Sequence, residues 1–244
     1  MRRRDAADLA GSAAVGAWAA FTVLALVVAG GHGAPLRVDE TLLSWSVGHR
    51  PATAVAVARG VTATGTGVVP YLLVVVAGAV AGRTARRRAV AALLGLVCLA
   101  TGQLARRGVM ELVARPRPPR PDWATHASGW AFPSGHTATS ALTAALLVLA
   151  VLLRAPRGRT ALCAAVGCWA VLVGVSRVYL GVHWGTDVAG GWLFAAGWSG
   201  ACLCAALRWL PARCVAAFTA RGPASADEPE PPRTPDGLGR SHAR

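Results

Sequence analysis

Residues 161–207 read ALCAAVGCWAVLVGVSRVYLGVHWGTDVAGGWLFAAGWSGACLCAAL, two apolar runs joined by the polar phrase SRVYLGVHWGTD at 176–187. The runs, about Ala161 to Val178 and about Asp187 to Leu210, have the length and composition of helices that cross a bilayer. Arg177, His183 and Asp187 sit in the turn between them. Ionisable groups are costly at or near a bilayer, so their concentration in one short turn points to a site with work to do.

The pattern repeats upstream. Arg2-Arg3-Arg4 precede an apolar stretch from about Leu9 to Gly31, which reads as a retained transmembrane helix because the uncharged run is long enough to span. Residues 32–60 are interrupted by Arg37, Asp39, Glu40, Trp45, His49, Arg50 and Pro51. They read as a loop with a short amphipathic helix at the interface, Trp45 acting as an anchor. Further spans run from about Val61 to Ala81, from about Ala89 to Leu104 with helix continuing toward Val113, and from about His136 to Leu153. Between the last two lies RPRPPRPDW, beginning at Arg115, where successive prolines force an extended path. The fold expected is all-α, a bundle of six transmembrane helices. It divides into an N-terminal helix at 1–31, a core at 32–210 and a Pro-, Asp-, Glu- and Arg-rich tail at 211–244 that reads as disordered and cytoplasmic.

Composition agrees. Of 244 residues, 54% are hydrophobic and only 15% charged, with a mean hydropathy of +0.46. A soluble domain of this length is rarely so apolar. The net charge of +14 comes from 25 basic residues, every one an arginine. These arginines cluster between apolar runs, where the positive-inside bias accounts for them, and a nucleic-acid partner is not expected. The six cysteines lie in or just after apolar segments, as small buried hydrophobes do, rather than in a disulfide framework.

Arg2–Arg4, the arginines of 83–88 and 154–159, and Arg208 with Arg213 fall on one side of the six spans, which the bias makes cytoplasmic. Both termini then face the cytoplasm. Residues 32–60, 105–135 and 179–186 face outward, in a multi-pass protein of the cell membrane. Arg106, Arg107, Arg115, Arg117 and Arg120 run against the bias, which marks them as candidates for function.

A second phrase, PSGH at 133–136, opens the fourth span. Ser134 suits a helix N-cap, and the N–H groups of the first turn then point outward as an anion site. Gly135 lets a ligand approach the backbone, and His136 at the mouth can donate a proton. His183 and Asp187, four apart, share a helix face, so the carboxylate can fix the imidazole tautomer and leave the other nitrogen a free nucleophile. Arg177, with Arg115 and Arg117 held stiff by Pro116 and Pro118, supplies planar cations suited to phosphate. Phosphoryl transfer needs little beyond such a set. His136, His183 and Asp187 are also metal-ligand types, a reading their spacing leaves open.

PSGH followed by SRVYLGVHWGTD resembles the type 2 phosphatidic acid phosphatases, lipid phosphate phosphatases related to the vanadium haloperoxidases. The resemblance covers about residues 40–205. It implies that His183 attacks phosphorus to form a phosphohistidine and that Asp187 orients it. His136 would protonate the leaving group and then activate water. Arg117, Arg177, Ser134 and the Gly135 N–H would hold the phosphate oxygens. It implies no cofactor and no metal; the partners are a lipid phosphate substrate and the bilayer. The substrate would be a lipid phosphomonoester or diphosphate, such as undecaprenyl diphosphate, phosphatidate or phosphatidylglycerol phosphate.

The family's first motif is a lysine, six residues, then Arg-Pro. Arg117-Pro118 fits its end, but the lysine position holds Met110. Arg106, Arg107 and Arg115 are the neighbours that can supply the missing charge. The departure keeps a second reading in play, a non-catalytic lipid-phosphate binder or transporter. A vanadate-dependent haloperoxidase is a third, against which the membrane spans argue.

Overall fold

The computed structural model describes residues 2–154 and 157–210, so the expected tail at 211–244 lies outside the described residues. Within them the chain is all-helical. Five helices are long and apolar enough to cross a membrane: α1 (Arg3–Gly30), α5 (Ala85–Val113), α6 (Gly135–Arg154), α7 (Arg159–Tyr179) and α8 (Gly185–Trp209). Their outer faces carry exposed large apolar side chains, such as Leu9, Val15, Val23 and Leu26 on α1. Such faces belong in lipid.

The remaining helices differ from the sequence reading. Residues 32–60 form no long loop; they make α2 (Arg37–Gly48) and most of α3 (Ala52–Ala63). The expected span from Val61 to Ala81 is not one straight helix. α3 and α4 (Val68–Ala81) meet at 53° across a short break. At 1.5 Å per residue neither piece alone crosses a hydrocarbon core about 30 Å thick. Together they pass the same test of length and hydropathy as the other spans, giving up to six. The break contains Gly65 and Gly67; Gly67 has φ +65°, a conformation that favours glycine. Thr64, at the bend, accepts a bond from the Trp169 indole of α7 at 2.8 Å, which ties the bend to the bundle.

α6 is the central helix, packed against α4, α5, α7 and α8, while α1 lies along α8. One cluster fastens α1, α8 and the segment before α6: Phe21, Phe132 and Phe194 are buried together, with Trp18 edge-on to Phe194. Glycines set how closely α8 and α6 approach. A Cβ on Gly190 would come within 2.5 Å of the Phe132 ring, and one on Gly191 within 2.9 Å of Thr137.

The chain's reversals bring Arg3 against the carbonyls of Leu207 and Leu210 at one end of the bundle. The starts of α6 and α8, the ends of α5 and α7, and the segments 114–134 and 180–184 gather at the other end, with α2 packed against α7 and α8.

Candidate active site

His183 lies just before α8 and is 2% exposed. Asp187 is the third residue of α8, where its Oδ2 accepts the Trp184 N–H at 2.8 Å and caps the helix start. The same oxygen faces His183 Nδ1 at 3.4 Å. Nη1 of Arg117 stands 2.9 Å from the other ring nitrogen, Nε2. A guanidinium can only donate, so Nε2 carries a lone pair and Nδ1 carries the proton, directed at Asp187. Burial, then the charges of Arg117 and Arg177, hold the His183 imidazole well below its ordinary pKa of 6.5 and keep it neutral.

Arg117 is also a clamp. Its remaining bonds go to the carbonyls of Ser128, Gly129, Trp130 and Val182, so it ties the segment before PSGH to the segment before His183. Arg177, at the end of α7, is 2% exposed. Its Nη1 donates to Thr62 Oγ1 of α3 at 3.0 Å, while its buried Nε has no partner among the described residues. An unpaired buried donor is costly unless a ligand takes it.

PSGH makes the facing wall. α6 begins at Gly135, and the Ser134 N–H donates to the Asp187 carbonyl at 3.0 Å, which locks the two walls together. The Ser134 hydroxyl does not cap the helix backbone; it accepts from the Thr137 hydroxyl at 3.0 Å. Among the described residues none takes the N–H groups of Gly135, His136 or Thr137. Unpaired N–H groups at a helix start are chemically suited to an anion. His136 is half-buried in this first turn. The charges of Arg106, Arg117 and Arg177 act on both His136 and His183, which marks one shared cationic pocket.

The three candidates for the missing lysine charge separate cleanly. Arg106 is 7% exposed, and a Cβ on Gly135 would lie 3.4 to 3.6 Å from its guanidinium, so the cation rests against the start of α6. Its Nε donates to Gln103 Oε1 at 3.1 Å, and Gln103 is braced in turn on Thr139. Met110 packs its sulfur 3.4 Å from Arg106 Nη1 and its methyl group toward Gly129. Arg107 is exposed and makes none of these contacts.

Arg115 corrects the sequence reading. It is fully buried, and its five bonds go to Gly33 and Ala34 carbonyls, Thr186 Oγ1, Asp187 Oδ1 and Asp39 Oδ2. With 0% exposure and ion pairs to two buried carboxylates, Arg115 is turned away from an incoming phosphate. It stands behind Asp187. Sequence reasoning missed Asp39, Thr62, Gln103 and Thr186, which brace the pocket from α2, α3, α5 and the start of α8 respectively.

A family model described as the PAP2 superfamily matches residues 90–211. Phosphatidylglycerophosphatase B of Bacillus subtilis is 35% identical over 140 residues, which is 55% of this chain. The match spans 66% of that relative's length, a little under two thirds. A crystal structure of a transmembrane PAP2-type phosphatidylglycerolphosphate phosphatase from Bacillus subtilis superposes with a TM-score of 0.69 at 27% identity, covering 78% of this chain and 94% of the other.

Proposed function

The chain belongs to the PAP2 superfamily, and on that premise we propose that it is a membrane phosphatase that hydrolyses a lipid phosphate. Phosphatidylglycerol phosphate is the first candidate, ahead of phosphatidate and undecaprenyl diphosphate, since it is what the similar Bacillus proteins are named for. The observation that carries the reading is His183: one ring nitrogen on Asp187, the other a lone pair against Arg117, beside the unpaired start of α6.

The steps follow from these groups. An incoming phosphate takes the Gly135 and His136 N–H groups and the free donors of Arg177 and Arg106. One of its oxygens draws Nη1 of Arg117 off Nε2 and frees the lone pair. Nε2 then attacks phosphorus as the bond to the lipid oxygen breaks, and that oxygen takes a proton from His136. The bound phosphate places negative charge beside His136, which supports proton donation in this step. Asp187 holds the Nδ1 proton as the ring becomes cationic. Neutral His136 then removes a proton from water, the hydroxyl attacks phosphorus, the P–N bond breaks and inorganic phosphate leaves.

The membrane setting supports a lipid substrate, whose tails stay in the bilayer while the head group enters. The arginine clusters at the opposite end of the bundle support a site facing outward with cytoplasmic termini. The domain limits proposed remain 1–31, 32–210 and 211–244. The test is phosphate release by purified protein in detergent from phosphatidylglycerol phosphate, phosphatidate and undecaprenyl diphosphate. Release from the first supports the reading. Binding without release from any of them replaces it with a non-catalytic lipid-phosphate binder.

A further inference from the structure

Asp39 lies on α2, outside residues 90–211, yet it is 1% exposed. Like Asp187, it is the third residue of its helix and accepts the N–H three residues back, that of Leu36, at 3.1 Å. Oδ1 accepts the Thr186 N–H at 2.9 Å, and Oδ2 accepts Arg115 Nη2 at 2.8 Å. The Thr186 hydroxyl accepts from Arg115 Nη1 at 2.7 Å and donates to Asp39. Arg115 Nη1 also reaches Asp187 Oδ1 at 2.7 Å, with the Trp184 ring beside the guanidinium at 5.7 Å. The result is an unbroken buried line, Asp39–Arg115–Asp187–His183. Its first three members are 0–1% exposed and His183 is 2% exposed.

The charges decide what this line does. A lone Arg115–Asp187 pair would be neutral and offer His183 little. With Asp39 as a second claimant on Arg115, two carboxylates share one guanidinium, and one net negative charge remains on the line. We infer that Asp39 is a positioning residue: by sharing Arg115 it holds Asp187 in place and keeps a net negative charge behind His183 for the cationic ring that forms when Nε2 bonds to phosphorus. In a buried setting that charge is poorly screened and acts strongly. The inference rests on the phosphatase reading above. The other groups acting on His183 are Arg117, Arg177 of α7, Arg106 of α5, His136 of α6 and the Ala131 backbone, and Asp39 hydrogen-bonds to none of them.

The test is Asp39→Asn in the full chain, assayed with phosphatidylglycerol phosphate in detergent, with folding checked by size exclusion and thermal melting. The expected result is a fall in kcat of about 10-fold with KM within about 2-fold. The acid limb of kcat/KM moves to lower pH by about one unit, the counterpart of a tenfold change in equilibrium. A residue that only supports the fold would lower the melting point and the active fraction without moving the pH profile. If Asp39→Asn does not fold, Asp39→Ser, which leaves room for water on Arg115, carries the same expectation. An active wild type beside a folded variant with unmoved kcat and pH profile overturns this inference alone. A wild type that releases no phosphate overturns the reading beneath it.

Discussion

Arg106→Met tests how the pocket manages without the lysine that Met110 replaces. A phosphate oxygen bound at the Gly135 N–H sits close to the Arg106 guanidinium, because a Cβ at Gly135 would already lie 3.4 Å from its Cζ. A unit charge pair about 4 Å apart in surroundings with an effective dielectric near 20 is worth about 4 kcal/mol. A charge-assisted hydrogen bond measured by mutation contributes about 1.5–3 kcal/mol. The loss expected is therefore about 2–4 kcal/mol, or roughly 30- to 1,000-fold in kcat/KM. Methionine keeps length and apolar volume, so the packing against Gln103 and Met110 survives. The assay is initial-rate phosphate release in detergent for Arg106→Met, Met110→Lys and the double variant. Met110→Lys alone puts a second cation beside Arg106 Nη1 and does not raise activity. The double variant moves the charge to the family's usual position and recovers at least a tenfold share of the loss. A single Arg106→Met within about 3-fold of wild type would refute the reasoning, as would a double variant no better than that single change.

Two other outcomes are expected. Because burial and the neighbouring guanidiniums hold His183 well below 6.5, it stays neutral through that pH. The acid limb of kcat/KM, corrected for the substrate's own ionisation, then has its midpoint below 6.5. The sign for stability is the same: the native state binds fewer protons than the unfolded chain, so this group's contribution is complete above about pH 6.5 and declines as the pH falls toward the folded value. A limb centred above 6.5 would mean a charged His183. Separately, Thr62→Val leaves Arg177 Nη1 without its partner on α3. It lowers stability by about 1–3 kcal/mol, read as a lower thermal midpoint in detergent, and binding of a phosphate analogue raises that midpoint in both proteins. An unchanged midpoint would remove Thr62 from the support of Arg177.

The sequence carried the long spans, because runs such as 161–178 and 187–210 are apolar on every side and bounded by charge. It also carried the meeting of PSGH with SRVYLGVHWGTD, because the number of spans between them puts both at one end of the bundle. The break between α3 and α4 escaped it: Val61 to Ala81 is apolar throughout, and hydropathy does not register a bend. Gly65 and Gly67 were the signal. Arg115 was misread for a different reason. It shares a proline-stiffened loop with Arg117 two residues away, and nothing local separates a cation facing the pocket from one turned behind it. What separates them is Asp39, 76 residues distant and visible in sequence only as one acid among several charges. Arg106 and Arg107 were likewise equivalent in sequence, and the helical phase of α5 against Gly135 divides them.

The central claim is that His183 bonds covalently to phosphorus. Its most direct measurement is to mix the purified protein with a lipid carrying a labelled phosphate, quench in alkali to preserve a P–N bond, and locate the label by peptide mapping. The expected result is label on His183 in the wild type and none in His183→Ala, which inserts in the membrane but releases no phosphate. Phosphate release that persists in His183→Ala, or label on another residue, would contradict the account.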